Sequence, residues 1–446
     1  MRSSDSGLEA FKGQRVVLLQ GPMGPFFSRL AAELRGHGAR VTKVNFNAGD
    51  ALFYRGEDVV SFRGTEDEWP SAFRAILGEA RPAAVILFGD SRPLHVAAIE
   101  IARDYGVSVL VFEEGYLRPD CITIEQGGVN QNSSMPREIG AYPADLDAPE
   151  LVPIGSTYRY MASFACCYSL ALTFFGWRYP GYRHHKRLNA FYEAFAGIRS
   201  FLRWLRYSFT ERAIMKRIER GWIGKFFLVA LQVHDDFQIK NSRFEDVGDF
   251  IREVVRSFAQ HAPKDQRLVF KHHPLDRGYR DYGPLLRALA QTHGLGERLV
   301  YVHDLHLPTL LRCARGCVVL NSTVGMSALF HGTPLKVLDN AVYDMPGLTA
   351  QVPLDEFWSS DAEVDALAYH RVRSFMLREN QGNGSFYRRH PMAGPSGVLW
   401  PPNLRVAALV RAPAMAERPV PDREAKGSRR LSMSDVVPSS QRQLGS

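Results

Sequence analysis

The feature that most restricts what this chain can become is a rhythm that occurs twice. Short apolar runs at 16–20, 41–46, 85–88 and 107–112 alternate with helix-sized segments such as 26–34. The same rhythm returns at 226–232, 268–270, 299–302, 317–320 and 335–337, with helical patterns at 247–260 and 282–291 between the runs. Strand-sized runs separated by helix-sized ones indicate βαβ units and a mostly parallel sheet. Two such series in tandem predict an α/β chain of two Rossmann-like, doubly wound lobes. Their strand C-termini face a common cleft, which is where open α/β sheets bind ligands. At 446 residues the chain is also too long for one ordinary core. The expected division is 1–150 for a first lobe, 151–225 for a helical segment, 226–350 for a second lobe and 351–411 for C-terminal helices packing back on both. Residues 412–446, rich in Pro, Ser, Arg and Glu, read as a disordered tail.

The stretch between the two rhythms is different. Residues 160–177 carry no charge and lie between Arg159 and Arg178. A helix of that length spans about 27 Å, the lower limit for crossing a bilayer. Ser163, Ser169, Thr173 and Gly176 dilute it, so an interfacial helix, a buried helix and a true span all stay open. Positive charge follows at once. Between 183 and 225, eleven Lys/Arg (Arg183, Lys186, Arg187, Arg199, Arg203, Arg206, Arg212, Lys216, Arg217, Arg220, Lys225) stand against Glu193, Glu211 and Glu219, a surplus of eight that equals the net charge of +8. A charge run alone is usually a solvated helix face. An apolar anchor followed by a basic patch is the pair of signals that holds a protein on an anionic leaflet. Arg203, Arg206, Lys216 and Arg217 are therefore candidate membrane contacts, and nucleic acid is not an expected partner. Residues 1–14 contain no apolar core of a secretory signal, so the lobes are expected to face the cytosol. The cysteines Cys121, Cys166, Cys167, Cys313 and Cys317 are odd in number and lack metal-type pairing, which argues against a disulfide framework and reads Cys313 and Cys317 as buried thiols.

Polar clusters stand where strands end. The first βα junction, Gln20-Gly21-Pro22-Met23-Gly24, suits either a tight turn or an approach to an anion, although it lacks the third glycine of a dinucleotide fingerprint. Asp90 follows the run at 85–88, and Glu113-Glu114-Gly115 follows the run at 107–112. Paired carboxylates at a strand tip are costly in an apolar wall and well placed for proton transfer in a cleft. In the second lobe, Gln232 to Asp236, Lys271-His272-His273-Pro274 and Asn321-Ser322-Thr323 each follow a strand. Ser322 and Thr323 suit a phosphate at the start of a helix, and His273 suits a cationic donor to it. Adjacent histidines on an extended segment point apart, so no metal site is assigned.

Taken together, these clusters resemble the capsule polysaccharide β-Kdo transferases of the KpsS/LipB family over residues 14–350. The motifs that carry the resemblance are LLQGPMGPFF from Leu18, FGDSRPLH from Phe88, VFEEGYLRPD from Val111, LQVHDDFQI from Leu231, KHHP from Lys271 and NSTVGMSAL from Asn321. Glu113-Glu114-Gly115, His273-Pro274 and Ser322-Thr323 also look like motifs of bacterial sialyltransferases, which use CMP-activated keto sugars. The resemblance implies a GT-B-like fold with CMP-Kdo as donor and no separate cofactor. It implies phosphatidylglycerol or lyso-phosphatidylglycerol as acceptor at the cytoplasmic face of the inner membrane, and work beside a partner Kdo transferase and a capsule export complex. It further implies retention by two displacements, with Asp236 (beside Asp235) as nucleophile and Glu114 as acid/base, Glu113 being its rival. Gln232, Lys271, His273, Pro274, Asn321, Ser322 and Thr323 would hold the donor, with Gly21, Gly24 and Asp90 on the acceptor side. The competing readings are a non-catalytic membrane tether of the export machinery, and a transferase or epimerase acting on a UDP-sugar.

Overall fold

The computed structural model describes residues 7–56, 58–184 and 189–404. Lys186 and Arg187 of the basic run, and the tail expected at 412–446, lie outside the described residues. The first lobe contains β1 (Arg15–Leu18), β2 (Arg40–Asn45), β3 (Val59–Ser61), β4 (Ala84–Phe88), β5 (Ser108–Glu114) and β6 (Cys121–Gln126). The second contains β7 (Phe226–Ala230), β8 (Arg267–Lys271), β9 (Leu299–Val302), β10 (Gly316–Val319) and β11 (Leu335–Val337). Two late strands, β12 (Gln381–Gly384) and β13 (Val398–Leu399), return to the first sheet.

In space the sheets are ordered β13-β12-β6-β5-β4-β1-β2-β3 and β11-β10-β7-β8-β9. The parallel strands of each lobe therefore follow one plan, in which the third, second, first, fourth and fifth lie side by side. The order reverses between β1 and β4 and again between β7 and β10. A crevice opens beyond the strand C-termini at each reversal. The chain thus adopts the doubly wound, two-lobed α/β architecture that its rhythm predicts.

Alternation along each strand feeds a core on either face. In β1, Val16 and Leu18 pack with Phe26, Leu30 and Leu34 of the helix Phe26–Gly36, whereas Val17 and Leu19 pack with Trp69, Phe73 and Leu77 of the helix Trp69–Ala80. Each such burial contributes roughly 1.5–3 kcal/mol, which is why these strands read as continuous apolar runs. One core also joins the lobes. Tyr116, Cys121 and Tyr142 meet Leu228, Val319 and Met345, and Val372 and Met376 of the helix Ala366–Glu379 close it.

The C-terminal region departs from expectation. Besides helices it supplies β12 and β13, and β6, β12 and β13 pair antiparallel, so the first sheet is mixed. The β12 sequence Gln-Gly-Asn-Gly has no apolar alternation because Val398 of β13 lies over both glycines. A Cβ on Gly382 or Gly384 would stand 2.9 or 2.8 Å from its methyls.

Between the lobes stand the helices Tyr158–Phe175, Ala190–Thr210 and Arg212–Gly221. The first is not a buried helix, which removes that reading of 160–177. Phe174 and Phe175 are 58% and 54% exposed, and the segment Tyr158–Arg178 has a mean hydropathy of 1.2, long and apolar enough to cross a membrane by length and composition. The second helix leaves Phe191, Phe195, Ile198, Phe201, Leu202 and Phe209 open as well. Cys166 and Cys167 are exposed on the first helix, while Cys317 is buried in β10 and Cys313 is half-buried.

Candidate active-site cleft

The second lobe's crevice is built by the loops that follow β7, β8 and β10. Asp236 caps the short helix Phe237–Lys240, its Oδ1 accepting from the Gln238 amide at 3.0 Å. Gln232 reaches across the strand reversal, donating from Nε2 to Asn321 Oδ1 at 3.0 Å and more loosely to Asp236 Oδ2 at 3.4 Å. Asn321 donates in turn to the Gln238 carbonyl at 3.2 Å. Gln232, Asp236, Asn321 and the Gln238 backbone thus form one hydrogen-bonded ring at the switch point. Gln232 Oε1 is left over, buried and without a partner. Such an orphan costs about 1–3 kcal/mol unless a ligand meets it. Ser322 and Thr323 open the adjoining helix Val324–Phe330. Ser322 Oγ accepts the Val324 amide at 3.2 Å, its carbonyl accepts from Tyr343 OH, and Thr323 makes no capping bond.

The KHHP segment divides its side chains. Lys271 turns inward, donating to the His303 carbonyl at 3.1 Å, and burial lowers its pKa. It is a strut beneath the helical segment, not the donor contact expected. His272 Nδ1 meets Tyr301 OH at 2.6 Å. His273 Nδ1 accepts the Leu275 amide at 3.2 Å, so the neutral ring keeps its proton on Nε2. Burial, with the Arg118 guanidinium and Lys271 adding to it, lowers the His273 pKa to about 4. The expected cationic donor is therefore a neutral one at pH 7, and Arg118 of the first lobe brings the charge. Pro274 starts the turn Pro274–Asp276. The fully buried Asp276 carboxylate then holds His234, accepting from its amide at 3.2 Å and pairing with Nδ1 at 2.5 Å.

In the first lobe, β5 ends in the two glutamates, and alternation sends them to opposite faces. Glu114 lies on the Phe112 and Phe386 side and accepts from Tyr387 OH at 3.0 Å. Glu113 lies on the other side, 3.3 Å from where a Cβ on Gly89 would stand, within range of the charges of Arg92 and of Asp236 of the second lobe. Burial, with the like charges of Glu114 and Asp236, raises its pKa to about 7. Glu113, with its raised pKa and its charge coupled to that of Asp236, is thus the candidate base that the site's electrostatics favour, where the resemblance favours Glu114. Gly115 follows of necessity, since a Cβ there would fall 2.1 Å from the Cys121 carbonyl oxygen. Gln381 of β12 pins the turn beyond, its Oε1 accepting the Tyr116 and Leu117 amides at 2.9 and 3.3 Å.

Three residues expected on the acceptor side serve their own lobe. Asp90 accepts from the Val129 amide at 2.9 Å and Asn132 Nδ2 at 3.1 Å, organising that turn. Gly21 and Gly24 make room for Phe27 and Phe164, which lie 2.7 and 2.8 Å from their absent Cβ positions. The loop after β1 therefore clasps the apolar helix through Phe164, and Gln20 adds bonds to Tyr168 OH and Tyr182 OH at 3.0 and 3.1 Å. Arg203 is likewise a clamp, donating to the Arg277 and Arg280 carbonyls at 2.8 and 2.9 Å and pairing with Asp281 at 3.4 Å. Arg206, Lys216 and Arg217 are exposed, the last two in an open groove of about 500 Å3 with Arg220, Lys225 and Arg267 around Trp222.

Sequence reasoning missed Arg92, Arg118, Gln381 and Tyr387. Arg92 and Arg118 lie inside the quoted motifs FGDSRPLH and VFEEGYLRPD, so a signal was present. Gln381 and Tyr387 lie in a segment with no pattern to mark them.

Residues 83–387 match the family model described as capsule polysaccharide biosynthesis protein, a span that holds both carboxylates and every donor-side loop. The chain belongs to that family. It is 42% identical over 382 residues to the capsule polysaccharide export protein KpsS of Escherichia coli, covering 84% of this chain and 97% of that protein. It is 40% identical over 384 residues to the capsule polysaccharide modification protein LipB of Neisseria meningitidis serogroup B, covering 84% and 92%. Among solved structures, the β-Kdo 2,7 transferase KpsC of Thermosulfurimonas dismutans is a distant likeness at 14% identity and a TM-score of 0.39, covering 83% of this chain and 93% of that one.

Proposed function

We propose that the chain is a glycosyltransferase that passes β-Kdo from CMP-Kdo to a hydroxyl of phosphatidylglycerol or its lyso form, on the cytoplasmic face of the inner membrane. The product begins the poly-Kdo linker of a capsular polysaccharide, which a partner Kdo transferase extends before export. The observation that carries this reading is that the charges of Asp236, past β7 at the second lobe's switch point, and Glu113, at the tip of β5, interact across the two lobes.

A departing cytidylate needs donors and positive charge around its phosphate. Arg118, the His273 Nε2–H and the hydroxyls of Ser322 and Thr323 supply them, and Gln232 Oε1 is an acceptor free for an amino group of the base. Transfer from a β-linked donor to a β-linked product retains configuration, for which two displacements are the simplest route. Asp236 attacks the anomeric carbon as CMP leaves. Glu113, poised with a pKa near 7, then takes the proton of the lipid hydroxyl as that oxygen displaces Asp236. Glu114, held by Tyr387, positions the strand end. The route uses no cofactor beyond the donor. The open apolar helices and the basic groove support a membrane-bound acceptor, because exposed apolar surface of this extent marks a membrane or partner.

Mass spectrometry of lipids after incubation with lyso-phosphatidylglycerol and CMP-Kdo made in situ tests the proposal. The expected product is the lipid plus one Kdo. CMP release with the lipid unmodified, or modification only with a UDP-sugar, would overturn it.

A further inference from the structure

The helices Tyr158–Phe175 and Ala190–Thr210 cross without filling the space between them. Small residues stand where they would touch, including Ala165, Ala194 and Gly197, and a groove of about 610 Å3 results, bounded by Leu170, Phe201 and Trp204. That size falls within the roughly 300–1,000 Å3 of small-ligand pockets. We propose that this groove takes one acyl chain of the acceptor lipid and leads its headgroup to the cleft, an inference that rests on the lipid-acceptor reading above.

The two ends of the groove argue for that occupant. Its wall carries the exposed side chains of Tyr158, Leu170, Phe201 and Trp204, and the first of its helices is long and apolar enough to cross a membrane, so a chain leaving a bilayer enters without crossing water. Its inner end is polar and lies at the cleft. Pro274 there follows His273, and Tyr279 packs 5.9 Å from the His234 ring and donates to Glu193 at 2.5 Å. A second groove of about 730 Å3 on the other side of the first helix, lined by Val59, Arg63, Cys167 and Phe174, ends at β3. There β2, β1 and β4 separate it from β5 and Glu113, so it leads nowhere near the carboxylates.

Nature supplies paired reporters, because Cys166 lines the first groove and its neighbour Cys167 the second, both exposed. Maleimide labelling is followed in the full chain with lyso-phosphatidylglycerol kept below its micellar concentration. At ten times the dissociation constant Cys166 should label about tenfold more slowly, since labelling follows the free fraction, with Cys167 unaffected. Equal slowing of both, slowing of neither, or protection of Cys166 that rises with protein concentration without lipid overturns the proposal, the last because a second copy would then be the occupant. A Cβ on Gly197 meets nothing within 4 Å, so a side chain can start there, and Gly197→Leu adds bulk to the groove. It should lower the ratio of kcat/KM for a long-chain over a short, water-soluble phosphatidylglycerol by about tenfold. An unchanged ratio counts against the groove. Cys166 protection needs no transfer, so a protein that shields Cys166 yet modifies no lipid would refute the transferase reading and leave the groove standing.

Discussion

The two edges of the cleft are built in opposite ways. The donor edge is local: Gln232, Asp236, Asn321 and the Gln238 carbonyl close a ring within one lobe, each a few residues past its strand. The acceptor edge is assembled from afar. The turn after Glu113 and Glu114 depends on Gln381 and Tyr387, which return to the first sheet only after the whole second lobe has been traversed. A chain built this way can lose its acceptor edge while its donor edge stays intact.

That asymmetry can be broken by substitution. The largest effect belongs to Asp236→Asn, expected to cut transfer by roughly 10^4-fold while calorimetric CMP binding persists; near-normal turnover would remove Asp236 from the chemistry. Glu113→Gln should cost about 10^2–10^4-fold in turnover, and Glu114→Gln about ten times less. Wild-type kcat/KM should also rise as pH passes through about 7, where Glu113 ionises. Its raised pKa means the folded state holds this proton more tightly than the unfolded one. Stability relative to Glu113→Gln should therefore fall as pH climbs from 4.5 towards about 7, a trend that thermal melts at both ends would show.

Gln381→Ala tests the acceptor edge alone. It takes the acceptor from the Leu117 amide and leaves Tyr116 only its 3.3 Å bond to Thr123 Oγ1, at a cost of about 1–3 kcal/mol in urea unfolding. Transfer should drop with CMP affinity unchanged, and a parallel loss of CMP affinity would show that the edges are not separable. Smaller still, neutralising Arg206, Lys216 and Arg217 together should weaken flotation with anionic vesicles at moderate salt, whereas Arg203→Ala should lower thermal stability instead. The smallest expected change is none at all. The pH profile of CMP affinity near 6.5 should be the same for wild type and His273→Gln, because His273 titrates at about 4 and the slope both share belongs to the phosphate of CMP, whose second pKa is about 6. A steeper slope in the wild type than in His273→Gln would restore the cationic histidine.

The same asymmetry explains what could be read from the residues. β1 and β7 are visible as apolar runs because both faces are covered, and the polar residues that follow them mark the donor edge directly. β12 is invisible because Val398 demands glycine where alternation would otherwise show. Which face of β5 each of Glu113 and Glu114 takes depends on strand phase, which adjacency in sequence does not reveal. The charge state of His273 depends on burial and on Arg118 from the other lobe. Arg203 counts as one more cation in the basic run until its guanidinium is seen clasping two carbonyls.

In the proposed mechanism the two carboxylates divide the labour: Asp236 acts first, without a second carboxylate because CMP is a good leaving group, and Glu113 is needed only for the second displacement. Intact-mass and peptide analysis of Glu113→Gln incubated with CMP-Kdo tests it most directly. The account expects one Kdo bound covalently to the peptide carrying Asp236, and none when Asp236→Asn is added. No adduct, or an adduct on any other residue, would contradict it.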